Sequence, residues 1–397
     1  MITPDINPAM LKFARECMEL DIEEAARKLG IKDTKKQKAS EKLQAIELGK
    51  VDITRSVLIK AINCYKRSLI YFYLDSPPRE DKVGIDFRTT STEFKDKKNE
   101  ALLKALVRDI KLRQSMVCNI LQDEETEPFS LKCSVDINSD TKNVAALITQ
   151  LFNIDLREYR KTKDAMTAFK YLRNKIEDAG IFVLLMGDLG SHHTNIYPQT
   201  FRGIASSDIF APFIVINKHD SKSAWSFTLL HELTHLLINE PGISNNDDTH
   251  KPQNRVERFC NDVAAEILFP SSELTSLYAS HNEEELLNLI SDISSEKKLS
   301  KGMIAYNLYK HGKIDSSLWK AIQEKLKPTC DENYKVKQDK GKTGGPNYYT
   351  IKRNSIGKAL FNLTKRAVYS GELQPTKAAI VLGVSPLSVY TMINENA

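Results

Sequence analysis

Apolar residues recur at helical spacing along most of the chain. Met10, Leu11, Phe13 and Ala14 form one stripe. Residues 22–30 form another, with Asp21 placed as N-cap and Gly30 as the stop. Helical stretches are also read at 41–47, 54–64, 68–74 and 100–121, and as a pair within 141–179. The pattern switches at 181–186, where an unbroken apolar run predicts a buried strand. Residues 213–217 predict a second strand and 195–204 an extended segment. Helical periodicity resumes at 223–238, 252–268 and 283–326, and again from about 348 to 397.

Breaker residues divide this pattern. Ser76-Pro77-Pro78 closes the first helical group, and Pro328 through Gly344-Gly345-Pro346 reads as a linker. Composition keeps the chain among globular proteins, with 41% hydrophobic and 27% charged residues. The net charge is +5, and the lysine clusters at 35–38, 95–98 and 335–342 read as solvated loops. They allow nucleic-acid contact without requiring it. The six cysteines show no Cys-x-x-Cys spacing, which predicts free thiols in a reducing cytosol. There is no basic-then-apolar leader, and no apolar run nears the roughly 20 residues a membrane span needs. A cytoplasmic protein without a membrane partner is expected.

One constellation carries chemistry. In His231-Glu232-Leu233-Thr234-His235 the two histidines are four apart, so a helix presents both on one face. Two imidazoles so placed can hold one zinc ion, and Glu232 can take a proton from an attacking water. Phe227, Leu229, Leu230, Leu233, Leu236 and Leu237 surround the motif and predict a buried helix. A catalytic zinc needs a third protein ligand and an open position. Glu257, Asp262 and Glu266 on the following helix, His250 before it, and His192 and His193 are the candidates. Spacing alone leaves that choice open. The strand at 213–217 offers a sheet edge for an extended peptide. Arg202 and Tyr197 are candidate stabilisers of an oxyanion.

The run from Phe227 to Leu237 resembles the zinc helix of the ImmA/IrrE family of metallopeptidases. The run from Glu257 through Asn261, Ala264 and Ala265 to Phe269-Pro270 resembles that family's second signature, with Cys260 and Val263 where Ala and Phe are usual. Phe201-Arg202-Gly203 and 211–217 resemble its lead-in. The resemblance covers roughly 180–275. It implies Zn2+ held by His231, His235 and Glu257, with Glu232 as catalytic base. Members of the family cleave transcriptional repressors, switching on stress or mobile-element genes. That makes the expected partner a repressor-like protein substrate.

Residues 8–73 resemble the helix-turn-helix domain of the XRE group, on Ala25 to Gly30 and Ala45 to Lys50. The resemblance implies DNA contact through the third helix, where Lys42 and Gln44 are the candidate readers. Glu23, Glu24, Glu41 and Glu47 work against that, as does a long loop before the third helix. Residues 357–393 read as a second helix-turn-helix style segment. The fold expected is mostly α with a small α+β zincin-like catalytic domain, flanked by an N-terminal helix-turn-helix domain and a helical C-terminal domain. The divisions are an XRE-like domain at 1–78, a helical linking region at 79–179 and the peptidase at 180–280. A helical extension at 281–327, a linker at 328–347 and a C-terminal domain at 348–397 follow. An alternative function is a DNA- or protein-binding regulator, an antitoxin paired with a small toxin, in which binding dominates over cleavage.

Overall fold

The computed structural model describes residues 5–35, 37–78, 85–87, 97–129, 135–238, 252–275, 277, 282–326 and 347–394. The chain forms two compact units. One comprises Met1–Val83, Ser91–Ile110 and Asp188–Ile196, and the other Gly84–Thr90, Lys111–Gly187 and Tyr197–Ala397.

The first unit contains α1 (Pro8–Glu16), α2 (Ile22–Leu29), α3 (Ala39–Glu47) and α4 (Arg55–Tyr65), then a 3-10 turn Leu69–Tyr73. Capping chemistry fixes their ends. Asp21 accepts a hydrogen bond from the Glu24 amide at 2.7 Å, and Gly30 closes α2 in the left-handed conformation, as the sequence predicts. Leu11, Ala14, Ala25, Leu29, Leu43 and Ala61 are fully buried on these packed helices. Glu47 is not a surface acid. It is buried and paired with Arg15, with Nε–Oε1 at 2.8 Å and Nη2–Oε2 at 3.1 Å. Lys42 and Gln44 are exposed on α3.

The second unit opens with β1 (Ile85–Phe87) and the later part of α5 (Lys97–Asp123). Then come α6 (Thr141–Leu151), α7 (Leu156–Lys161), α8 (Ala165–Asp178) and β2 (Phe182–Met186). Residues 141–179 thus make three helices rather than two, because Asp155 starts a separate short helix by capping the Arg157 amide. The chain continues through β3 (Gly203–Ser206), β4 (Phe213–Asn217), α9 (Lys222–Ile238) and α10 (Pro252–Leu268). The remaining helices are α11 (Ser271–Thr275), α12 (Glu283–Lys297), α13 (Lys301–Lys310) and α14 (Ser316–Leu326). Last come α15 (Tyr348–Ile356), α16 (Lys358–Ser370), α17 (Pro375–Leu382), a 3-10 turn Pro386–Ser388 and α18 (Val389–Asn394).

The sheet order is β1-β3-β4-β2. β2 runs parallel to β4, with Phe182 opposite Phe213, while β3 is antiparallel to β4 and β1 antiparallel to β3. This corrects the expectation that residues 213–217 offer an edge. β4 is paired on both sides, so its ladder groups are spent within the sheet. The extended segment is also shorter than expected. Turn hydrogen bonds from the amides of Thr200 and Phe201 to the Tyr197 carbonyl hold the chain off the ladder until Gly203.

α9 lies against β3, β4, α8 and α10. Leu229, Leu230 and Leu233 of α9 join Ile214 and Ile216 of β4 and Val263 of α10 in a core closed to water. Being enclosed on nearly every side explains why α9 is apolar all round rather than striped. Among the described residues no single helix is long and apolar enough to cross a membrane.

A buried ion pair ties the C-terminal helices to this core. The Arg173 guanidinium of α8 donates to Glu177 Oε1 at 3.0 Å, to the Ser355 carbonyl at 3.2 Å and to the Val183 carbonyl of β2. Glu177 accepts from the amides of Lys358 at 2.9 Å and Ala359 at 3.2 Å, capping α16. Burial pushes the Glu177 carboxyl up, and Arg173 together with those amides opposes it. Removing one member of such a pair leaves the other charge uncompensated, at a cost of about 3–5 kcal/mol. Arg173→Met should therefore lower the urea midpoint of the full chain and expose 347–394 to protease. Pairing it with Glu177→Leu should restore part of the loss, and an unchanged midpoint in the single variant would refute the role.

Candidate metal centre

His231 and His235 sit on successive turns of α9, and their Nε2 atoms are 3.0 Å apart. α10 packs across α9 and brings in Glu257. Its Oε2 is 3.3 Å from His231 Nε2, and its Oε1 is 3.3 Å from His235 Nε2. These three residues could hold a metal ion, and their ligand atoms all lie within 4.8 Å of one another.

The spacing fits zinc. Bonds of about 2.0–2.1 Å meeting at the tetrahedral angle separate their donors by about 3.3 Å. The donor set, two imidazole nitrogens and a carboxylate, suits the same ion. It leaves one tetrahedral position without a protein ligand. His231 is fully buried, whereas the Glu257 side chain is 29% exposed, so the cluster sits at the border between core and solvent. Burial raises the cost of ionising Glu257, but hydrogen bonds and charge from His231 and His235 outweigh it and hold the carboxyl well below its usual range.

Glu232 is 1% exposed and lies against β3. The reason is Gly203. A Cβ built there would stand 2.6 Å from Glu232 Cγ and 2.7 Å from its Cδ. The missing side chain is the slot in which the carboxylate rests. The sequence marked Gly203 only as part of a lead-in, because the contact joins residues 29 positions apart. Cys260 adds a second unforeseen feature. It is buried one turn beyond Glu257, and burial pushes its thiol pKa up while the nearby His235 opposes that.

The other third-ligand candidates fall elsewhere. Asp262 pairs with Lys310, and Glu266 accepts from Ser271 N at 3.1 Å and Oγ at 3.2 Å. Both lie along a cleft of about 290 Å3 bordered by α10, α11 and α13, away from the histidines. They share the helix with Glu257 but not its face. His192 and His193 lie next to each other, their rings tilted by 41°, in a 3-10 turn (His192–Thr194) of the first unit. His250 lies outside the described residues. Arg202 faces Asp220, with 3.8 Å between Nε and Oδ2, and Tyr197 is half exposed. Neither belongs to the metal-binding group.

The second unit thus carries a His/His/Glu group that could hold a metal ion, on crossed helices beside a small mixed sheet, an arrangement consistent with a zincin-like core. Residues 176–309 match the Peptidase_M78 family model, the IrrE N-terminal-like domain. The match covers about a third of the chain and contains β2–β4 together with all three candidate ligands. Comparisons with curated proteins and with solved structures give no match. Family and triad together support metallopeptidase-like activity in general terms.

Gly203→Ala separates the carboxylate from the ligands. It should leave bound zinc near one per chain, measured by atomic absorption, while lowering peptide turnover at least about tenfold. Equal turnover would mean that Glu232 relaxes without loss.

Proposed function

We propose that the second unit is a zinc endopeptidase that cuts a particular regulatory protein of the transcriptional-repressor kind. The observation that carries this reading is the convergence of His231, His235 and Glu257 next to the buried carboxylate of Glu232. A bound zinc ion supplies Lewis acidity, acidifying water and polarising a peptide carbonyl.

Everything else falls to the chain. His231 and His235 present their Nε2 atoms, and Glu257 supplies negative charge from the solvent side. Glu232 takes a proton from the attacking water at a carboxylate oxygen and returns it to the leaving amine. Its enclosure against Gly203 keeps that carboxylate at one place, so little reorganisation precedes proton transfer. An extended peptide can pair with β3, the strand that carries Gly203, by replacing β1. β1 pairs antiparallel there, with Phe87 opposite Ile204, and a substrate segment takes this register in its place.

The repressor class of substrate rests on the resemblance of residues 176–309 to the family. The first unit acts as the docking head. Lys42 and Gln44, exposed on α3, contact DNA or a partner protein. Burial of Glu47 against Arg15 removes one of the acids that would oppose a phosphate backbone there.

Glu232→Gln should retain zinc and bind substrate, yet lose about 10²–10⁴-fold in cleavage rate. His235→Ala should lose metal affinity itself. Cleavage surviving in Glu232→Gln would refute the mechanism. If that variant still neutralised a small toxin, binding rather than hydrolysis would be the function.

A further inference from the structure

We propose that the C-terminal helices bind duplex DNA, with the helix Pro386–Asn394 as the element that enters the major groove. Three observations carry this. The first is geometry. α17 ends at Gly383, whose φ of 67° turns the chain, and the next helix starts three residues later. The two helices are bent by 90° at this break. That is the angle and turn length of a helix-turn-helix pair. The corresponding turn in the first unit, between α2 and α3, takes nine residues.

The second observation is burial. Val389, Met392 and Ile393 are buried, as are Ala378 and Leu382 of α17, the helix on which this one packs. The opposite side is turned out. Leu387 is 94% exposed and Tyr390 50%, and Thr391 and Asn394 are exposed with them. Positions 387, 390, 391 and 394 share one helix face. An isolated structural helix would place charged residues there. This one presents an aliphatic group, a phenol, a hydroxyl and an amide, which suit thymine methyls and base edges. Arg353 fixes the far end by donating to the Met392 carbonyl, and Tyr369 hydrogen-bonds Asn394. The readers left are therefore Leu387, Tyr390 and Thr391.

The third is charge. Residues 347–394 contain six Lys or Arg and a single acid, Glu372. Their net +5 equals that of the whole chain, so the rest is neutral in sum. Lys358 and Lys377 are exposed near the starts of α16 and α17. In a helix-turn-helix the helix preceding the reader crosses the backbone, which is where Lys377 lies. The complementary partner is a polyanion with a groove.

The proposal does not depend on peptidase activity, and the test uses the full-length protein. The probe is a fluorescein-labelled 30-base-pair duplex of mixed sequence, read by anisotropy between 50 and 200 mM salt. Wild type should bind in the micromolar range, weakening steeply with salt. Lys358→Glu with Lys377→Glu should weaken binding at least tenfold and flatten the log–log salt slope by about two. Lys320→Glu, at an exposed position of α14, should leave most of the binding. In a selection from random duplexes, Tyr390→Ala and Thr391→Ala should alter or erase the enriched sequence. All these side chains are exposed, so unchanged circular dichroism and urea midpoints are expected.

Absence of salt-dependent duplex binding would overturn the proposal, as would binding indifferent to Lys358 and Lys377 but abolished by Lys42→Glu. Sedimentation showing self-association that Leu387→Lys removes, without DNA binding, would assign the face to a second copy of the chain instead.

Discussion

Helix α9 has to bury two imidazoles and a carboxylate in a layer where almost every neighbour is apolar. Such groups are costly away from water unless each meets a partner. The surrounding structure is arranged around that constraint. α10 crosses α9 where Glu257 can meet both Nε2 atoms, and β3 approaches with a glycine where Glu232 needs room. Two imidazoles aimed at one point repel through their lone pairs unless a proton or a cation lies between them. A divalent cation resolves that conflict for both rings and the carboxylate together, and so favours the crossing of α9 and α10.

The sheet answers the same constraint from the other side. β4 is interior to the sheet and buried throughout, and Leu230 and Leu233 of α9 are buried in one core with its Ile214 and Ile216. β3 carries Gly203 and is antiparallel to both of its neighbours, so the strand beside the buried carboxylate lies one strand in from the margin, next to β1. α10 divides its two faces cleanly. Glu257, Cys260 and Ala264 point to α9 and the core, while Asp262 and Glu266 look toward α11 and α13.

What could be read from the sequence was local. The i, i+4 histidines, the all-apolar flanks of α9, the Asp21 cap and the Gly30 stop each depend on residues within a turn or two of one another. Glu257 was separable from Asp262 and Glu266 only by resemblance, although helix phase favours it, since it continues the seam of buried 260, 264 and 268 toward the solvent border. The errors came from distant pairing. Nothing within residues 213–217 says that both sides of the strand are taken, because its partners lie at 182–186 and 203–206. The Gly203–Glu232 contact and the burial of Glu47 on Arg15 were hidden for the same reason.

Charge and packing also meet at the C-terminal helices. Arg173 and Glu177 bind them to α8 and β2 through backbone carbonyls and amides, so the basic segment belongs to the same compact unit as the metal site. A segment attached in this way does not sample orientations as a tethered tail would. With six basic residues and one acid, this segment attracts a polyanion, an attraction that falls off beyond about 10 Å at 0.1 M salt. Approach would therefore be steered toward the α16–α18 face while the α9–α10 site, built from a separate set of helices, keeps its own access to solvent through Glu257. The proposed duplex binding and the proposed peptide hydrolysis therefore draw on separate sets of residues within one folded unit.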